Sequence, residues 1–490
     1  MTIKLSNATL PDLPGSVGHP GYDRSMLSAG ILHFGVGNFH RAHQAAYLDA
    51  LMAKGEAMDW AIVGAGVLEG EKRGRAILQQ QDWLTALVEQ EADKSEARVL
   101  GSMIDFIEPG DAEATIARMT GEDIRIVSMT ITEGGYFLDA NDNFDPSHPQ
   151  IQHDTANPKT PATVFGLILA ALRKRRDMGI APFTIMCCDN IPHNGDVTRR
   201  TLTGLARLSD PAFAEWISKN VAFPNAMVDR ITPATTERER DILSKEFGID
   251  DGWPVFCEDF TQWVLEDTFP LGRPPLEKAG VQFVQDVIPF ELMKLRILNA
   301  GHAVIAYPAG LMDIHFVHEA MEHPLIRAFL RKIEEQEIIP QIPPVPDTQI
   351  NAYFDKIEER FSNPKIGDTV RRLCLDGSNR QPKFVIPALR DAIGADAKWD
   401  GLALCCALWC RYCAGVTESG TVIEPNDPNW DDLAQKATTA KTRPQAWLEQ
   451  GAVYGDLVTH DAFKDRFSFW LDALWTDGTE AVLARFVESD

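Results

Sequence analysis

Cysteine is scarce in this chain, with 8 among 490 residues, too few for a disulfide framework in a protein of this length. No apolar run approaches the ~18–20 residues that cross a bilayer. The opening stretch, MTIKLSNATLPDLPG, lacks the apolar core of a signal peptide. Positive charge is also in deficit: 47 Lys and Arg stand against 71 Asp and Glu, a net charge of −24. Such an acidic chain is poorly suited to holding nucleic acid or an anionic membrane. Internal repeats and low-complexity tracts are missing too. The expectation that remains is a soluble cytoplasmic protein with free thiols and a small-molecule partner.

What is present is an α/β pattern. Strand-like runs at Ile31–Val36, Trp60–Val67, Asp123–Thr132 and Phe183–Cys188 alternate with helical stretches, one from about Asn38 to Lys54. Thr160 and Pro161 read as the cap and first position of another helix, ending at Gly179. Strands alternating with helices imply a mostly parallel sheet of Rossmann type. From Phe290 onward the runs are amphipathic and helical, at 290–308, 315–336, 347–361, 384–393, 400–414 and 461–488. The Pro/Gly-rich 271–280 segment precedes this change. The reading is therefore a Rossmann-type domain over 1–285 and a mainly helical domain over 286–490, with chemistry expected in a cleft between them.

Gly35-Val36-Gly37-Asn38-Phe39-His40-Arg41 follows a predicted strand and opens a predicted helix, the context of a dinucleotide fingerprint. Gly35 suits the tight turn and Gly37 a close approach to a pyrophosphate. The third glycine of that fingerprint is replaced by His40. Gly35, Gly37, Asn38, Phe39 and Arg41 are the expected cofactor contacts. Glu69, after the second strand, is the expected ribose acceptor, which favours NAD; Arg73 and Arg75 close behind it keep NADP open. His40 and His43 lack the further ligands that a metal needs, so no metal is expected. Cys405, Cys406, Cys410 and Cys413 read as small buried apolar side chains.

The most informative segment is Lys294-Leu295-Arg296-Ile297-Leu298-Asn299-Ala300-Gly301-His302. On an ideal helix with Lys294 at zero, Glu291 falls at about 60°, His302 at about 80° and Asn299 at about 140°. An amine, a carboxylate, an imidazole and a carboxamide thus share one side of an otherwise apolar helix. Lysine is almost never buried without a partner or a task.

Taken together, HFGVGNFHRAHQAAYLD (33–49), TITEGGY (130–136), CDNIPHNG (188–195), FPNAMVDRITPAT (223–235), KLRILNAGH (294–302) and LDGSNRQPKF (375–384) resemble the polyol-specific long-chain dehydrogenase/reductase family. The resemblance covers nearly the whole chain. It implies metal-independent, NAD(P)-linked interconversion of a polyol and a ketose, with mannitol and fructose as the first-ranked pair. D-arabinitol, D-sorbitol and hexuronate (fructuronate) members of the family are the alternatives, and a non-catalytic dinucleotide sensor is the alternative of a different class. The resemblance makes Lys294 the general base, with Asn190 and Asn299 holding the reacting oxygen and His302 contacting substrate. It places Asp229, Arg372 and Arg380 along the polyol, and Glu133 and Glu291 in proton relay. It also implies a monomer.

Overall fold

The computed structural model describes residues 2–139 and 143–489. The chain divides into two compact units, Met1–Ile288 and Pro289–Asp490.

The first unit is built on five strands: β1 (Ala29–Phe34), β2 (Ala61–Ala65), β3 (Met103–Phe106), β4 (Ile126–Met129) and β5 (Thr184–Cys187). They lie in the order β3-β2-β1-β4-β5, all parallel. Ile31, Ile62, Ile126 and Met186 enter one apolar core, while Leu32, Val63, Val127 and Ile185 enter the other. Side chains alternate across a pleated sheet, so apolar residues at every position bury both faces. The strand order reverses between β1 and β4, which opens a crevice beyond their carboxyl ends.

Local chemistry moves some of the expected boundaries. The helix after β1 is broken into α1 (Asn38–Ala42) and α2 (Gln44–Met52), because His43 sits at φ −114°, ψ −91°. The next helix expected from sequence, α3 (Val164–Asp177), starts three residues later than Thr160 and Pro161 suggest. Its cap is Thr163, whose hydroxyl accepts from Gly166 N at 3.0 Å. The buried Asp154 carboxylate accepts from Ala162 N at 2.7 Å and Thr163 N at 3.0 Å, which holds this approach non-helical. An antiparallel pair, Thr85–Gln90 with Ser95–Leu100, was not apparent in the sequence reading.

Among its described residues the second unit contains helices and no strand. Helix α4 (Ile288–Lys294) runs into a π turn, Leu295–Asn299, and then α5 (Ala300–Leu311). A second π turn spans Glu334–Ile338. Helices α6 (Gly377–Gly394) and α7 (Asp400–Cys413) follow. Glu337 accepts from Gly401 N at 2.7 Å and Leu402 N at 2.9 Å, satisfying free donors at the start of α7. All four cysteines of α7 are buried.

Candidate active site

Gly35 and Gly37 occupy the turn between β1 and α1, at the crevice. Gly35 has φ +88°, and a Cβ there would lie 2.0 Å from Thr130 O, so only glycine fits. A Cβ on Gly37 would meet nothing closer than Gly35 O at 3.9 Å. Its outer side is open to a ligand that needs close backbone approach. Behind the turn, His33 Nδ1 lies 2.8 Å from Ser128 Oγ and its Nε2 lies 3.0 Å from Thr130 Oγ1. His33 stacks on His40 with centroids 3.5 Å apart. Burial depresses His33 to about 3 and takes His40 well below its usual range, so both rings stay neutral. His43 Nε2 meets Gln262 O at 3.1 Å. Among the described residues, no three His, Cys, Asp or Glu side chains form a set that could hold a metal ion.

Two of the expected cofactor contacts have other work. Arg41 is fully buried. It donates to Trp253 O, to Asn38 Oδ1 at 2.9 Å and to Gly37 O at 3.3 Å, and its guanidinium lies over the Trp253 ring at 3.9 Å. In this structure the Arg41 side chain braces the turn from inside the protein. The Asn38 amide donates to Pro233 O at 3.1 Å and Thr235 Oγ1 at 3.0 Å, so its side chain ties the turn to that segment. Phe39 stacks on His43 at 4.9 Å.

Beyond β2, Glu69 is 85% exposed and pairs with Lys72 at 2.8 Å. Glu71 turns inward and accepts from Val67 N at 2.9 Å and Leu68 N at 2.7 Å. Arg75 is spent on Phe106 O at 2.6 Å and on Glu108 at 2.9 Å. The loop therefore presents a carboxylate outward, while its nearest partly buried cation is engaged.

Asn190 is exposed just past β5. Asp229 is buried at the end of the strand Ala226–Asp229. The Glu133 side chain lies outside the described residues.

In the second unit, Glu291 and Lys294 are buried on α4. The π turn alters the ideal projection. Closing i to i+5 adds one residue to the turn, which brings Asn299 to about 40° and His302 to about −20° from Lys294. All three side chains thus gather more tightly than a straight helix allows. Asn299 Oδ1 and His302 Nε2 are both buried and have no hydrogen-bond partner among the described residues. The His302 ring stacks on Phe361, centroids 4.3 Å apart. Burial, then the charges of Arg372, Arg360, Arg380 and Lys294, hold His302 well below its usual range. Arg372 is anchored by Asp368, with Nε donating at 2.5 Å. Arg380 donates to Leu373 O at 3.2 Å. The structure thus brings Arg372 and Arg380 to the surroundings of His302. The sequence reading missed Arg360 and Phe361, which sit at the end of a separate amphipathic helix, Ile350–Phe361, with no local signal.

Residues 29–278 match the mannitol dehydrogenase Rossmann domain, and residues 286–475 match the mannitol dehydrogenase C-terminal domain. The chain belongs to the mannitol dehydrogenase family. It is 57% identical to mannitol 2-dehydrogenase of Cereibacter sphaeroides over 473 residues, 96% of this chain and 99% of that one. The Pseudomonas fluorescens mannitol 2-dehydrogenase, solved as a ternary complex with NAD and D-mannitol, superimposes with TM-score 0.90 at 41% identity, each chain fully covered. A substrate-free D-sorbitol dehydrogenase gives 0.91 at 37% identity, covering 98% of this chain and all of that one. Fold alone does not separate the polyols within this family. No helix of the described residues is long and apolar enough to cross a membrane.

Proposed function

We propose that this chain interconverts D-mannitol and D-fructose with NAD, using a lysine as general base. The observation that carries the reading is the pair of buried, unpartnered atoms, Asn299 Oδ1 and His302 Nε2, gathered on one side with buried Lys294. Unpartnered buried polar atoms call for a partner of their own, and a polyol supplies hydroxyls that donate and accept. The extensive identity with mannitol 2-dehydrogenases selects mannitol among polyols.

The chemistry follows from the side chains. Oxidation removes a proton from oxygen and a hydride from carbon. NAD, when bound, would supply the hydride acceptor; the Gly35–Gly37 turn would hold its pyrophosphate and Glu69 would accept from its ribose. The neutral Lys294 amine accepts the hydroxyl proton at Nζ. The carboxamides of Asn190 and Asn299 donate to the same oxygen as negative charge develops on it, the role of an oxyanion hole. A neutral His302 holds a neighbouring hydroxyl, backed by Phe361. Asp229, Arg372 and Arg380 bind the remaining hydroxyls, and Glu291 and Glu133 carry the proton outward. In ketose reduction the protonated lysine returns its proton to the oxygen. A single chain is the proposed active unit.

The test is NADH absorbance with NAD and a panel of D-mannitol, D-sorbitol, D-arabinitol and hexonates. D-mannitol is expected to give the highest kcat/KM. A higher value for another polyol transfers the assignment to it, and no turnover with any of them favours a dinucleotide sensor.

A further inference from the structure

The segment Thr130–Tyr136, just past β4, is held in an unusual conformation by one carboxylate. Asp189 follows β5 and is only 8% exposed. Its Oδ2 accepts from Ile131 N at 2.9 Å and from the Tyr136 hydroxyl at 2.6 Å, and its Oδ1 accepts from Thr132 N at 2.9 Å. Thr132 has φ 64°, ψ 164°, a region that is essentially glycine's own and especially hostile to a β-branched residue. Such a conformation persists only where its surroundings over-determine it. Here two consecutive backbone N–H groups, at Ile131 and Thr132, converge on one ionisable side chain.

The ends of this segment make the strain relevant. Thr130 Oγ1 donates to Gly35 O at 2.7 Å, so the segment begins against the cofactor turn. Glu133 is the next residue after Thr132, and Asn190 is the next after Asp189. Asp189 is itself fixed by backbone contacts: its carbonyl accepts from Asn194 Nδ2 at 3.1 Å and from Ile191 N at 2.9 Å. The carboxylate therefore couples three pieces of the proposed machinery: the Gly35 turn, the Glu133 segment and the Asn190 position.

We propose that Asp189 is a positioning residue for the oxidation, clamping the strained Thr132 so that the Glu133 segment and Asn190 are held in the arrangement the reaction needs. This rests on the reading that Asn190 holds the reacting oxygen. A fixed charge accepting two backbone N–H bonds is stronger than a neutral acceptor. An amide of the same shape would turn one NH₂ toward an N–H donor and lose one of the two.

Asp189→Asn is expected to lower kcat for mannitol oxidation about 10–100-fold, the scale of a catalytic group displaced by about 1 Å. NADH affinity, read by fluorescence titration, should stay within about 3-fold, and kcat is counted per NADH-binding site so that misfolded protein does not contribute. The sharper readout is rescue. Glycine takes φ 64°, ψ 164° without strain, so adding Thr132→Gly to Asp189→Asn should recover kcat by at least about 5-fold. A purely structural role predicts a lower Tm with normal kcat per site and no rescue. Should Asp189→Asn fail to bind NADH, Tyr136→Phe carries the test: it removes one of the three donors and leaves both backbone bonds. A fall in kcat of about 3-fold or more with intact NADH affinity then supports the proposal. Unchanged kcat per site in Asp189→Asn, or in Tyr136→Phe where that variant is needed, overturns it. Asn190→Ala in the same assay separates the two readings, because full activity there refutes the role of Asn190 whatever Asp189 does.

Discussion

Lys294 and Asn299 stand at the two ends of a single π turn: one is the last residue of α4, and the other is the last residue before α5. A π turn costs hydrogen-bond regularity and appears disproportionately at functional sites. Here it turns a projection that would spread amine and carboxamide apart into one that sets both beside His302. The order of residues in KLRILNAGH is thus inseparable from the irregularity of the helix that carries them.

Lys294→Ala is expected to lower kcat by about 10⁴-fold or more, the upper end for a lost general base, while NADH binding persists. Wild-type oxidation should rise with pH as the lysine gives up its proton, and the variant should lack that inflection. A small primary amine in the buffer should restore part of the rate. Asn299→Ala and Asn190→Ala should each cost about 3 kcal/mol of transition-state stabilisation and keep the inflection. Near-normal kcat and an unchanged pH profile in Lys294→Ala would place the base elsewhere, with His302 the next candidate.

Glu334 governs a pH effect on stability. Both its oxygens are buried with no partner among the described residues. Burial pushes its carboxyl well above the usual 4.5. The folded chain therefore keeps a proton that the unfolded chain releases near that value, and stability falls as pH rises above it. Glu334→Gln has no such proton to keep. Its Tm should match the wild type near pH 4.5 and exceed it increasingly towards pH 8, with each 1 kcal/mol worth about 2–4 °C in a unit of this size. Parallel Tm curves for the two proteins would contradict this account.

Cofactor preference should follow the outward carboxylate. NAD is expected to outperform NADP in kcat/KM by at least about 10-fold. Glu69→Lys should narrow or invert the ratio by removing repulsion and adding a partner for a 2′-phosphate. Kinetics with both cofactors at one mannitol concentration measure it. An unaffected ratio would shift attention to Glu71, whose carboxylate shapes the same loop.

Metal removal should be without effect. Prolonged dialysis against a strong chelator is expected to leave mannitol oxidation intact, because the proposed mechanism assigns the oxygen's charge to Lys294 and the two carboxamides. Activity lost on dialysis and restored by zinc would overturn the lysine mechanism.

The parallel sheet was legible because its strands are short apolar runs separated by helical periodicity. The Gly35 turn was legible because positive φ and close approach leave a mark in residue type. Lys294, Asn299 and His302 stood out as polar residues on an apolar helix. The π turn left no such mark, since its residues are ordinary helix formers and tertiary packing decides the extra residue. The packing of Arg41 over Trp253 was not legible for a related reason: the two lie more than two hundred residues apart, and no local pattern pairs them. The start of α3 depended on Asp154, eight and nine residues away from the donors it satisfies, beyond the reach of a local capping rule. Arg360 and Phe361 reach His302 from another helix, a long-range contact that no spacing encodes.

The eight cysteines have a practical consequence. Every one is buried, and burial pushes each thiol upward, Cys257, Cys374 and Cys406 to about 12. Reactivity belongs to the thiolate, so the native protein offers maleimide and similar electrophiles almost nothing to attack. One cysteine introduced on the surface of either unit would be the sole fast-reacting thiol. Spectroscopic labels can then be attached at a chosen residue with all eight native cysteines left in place.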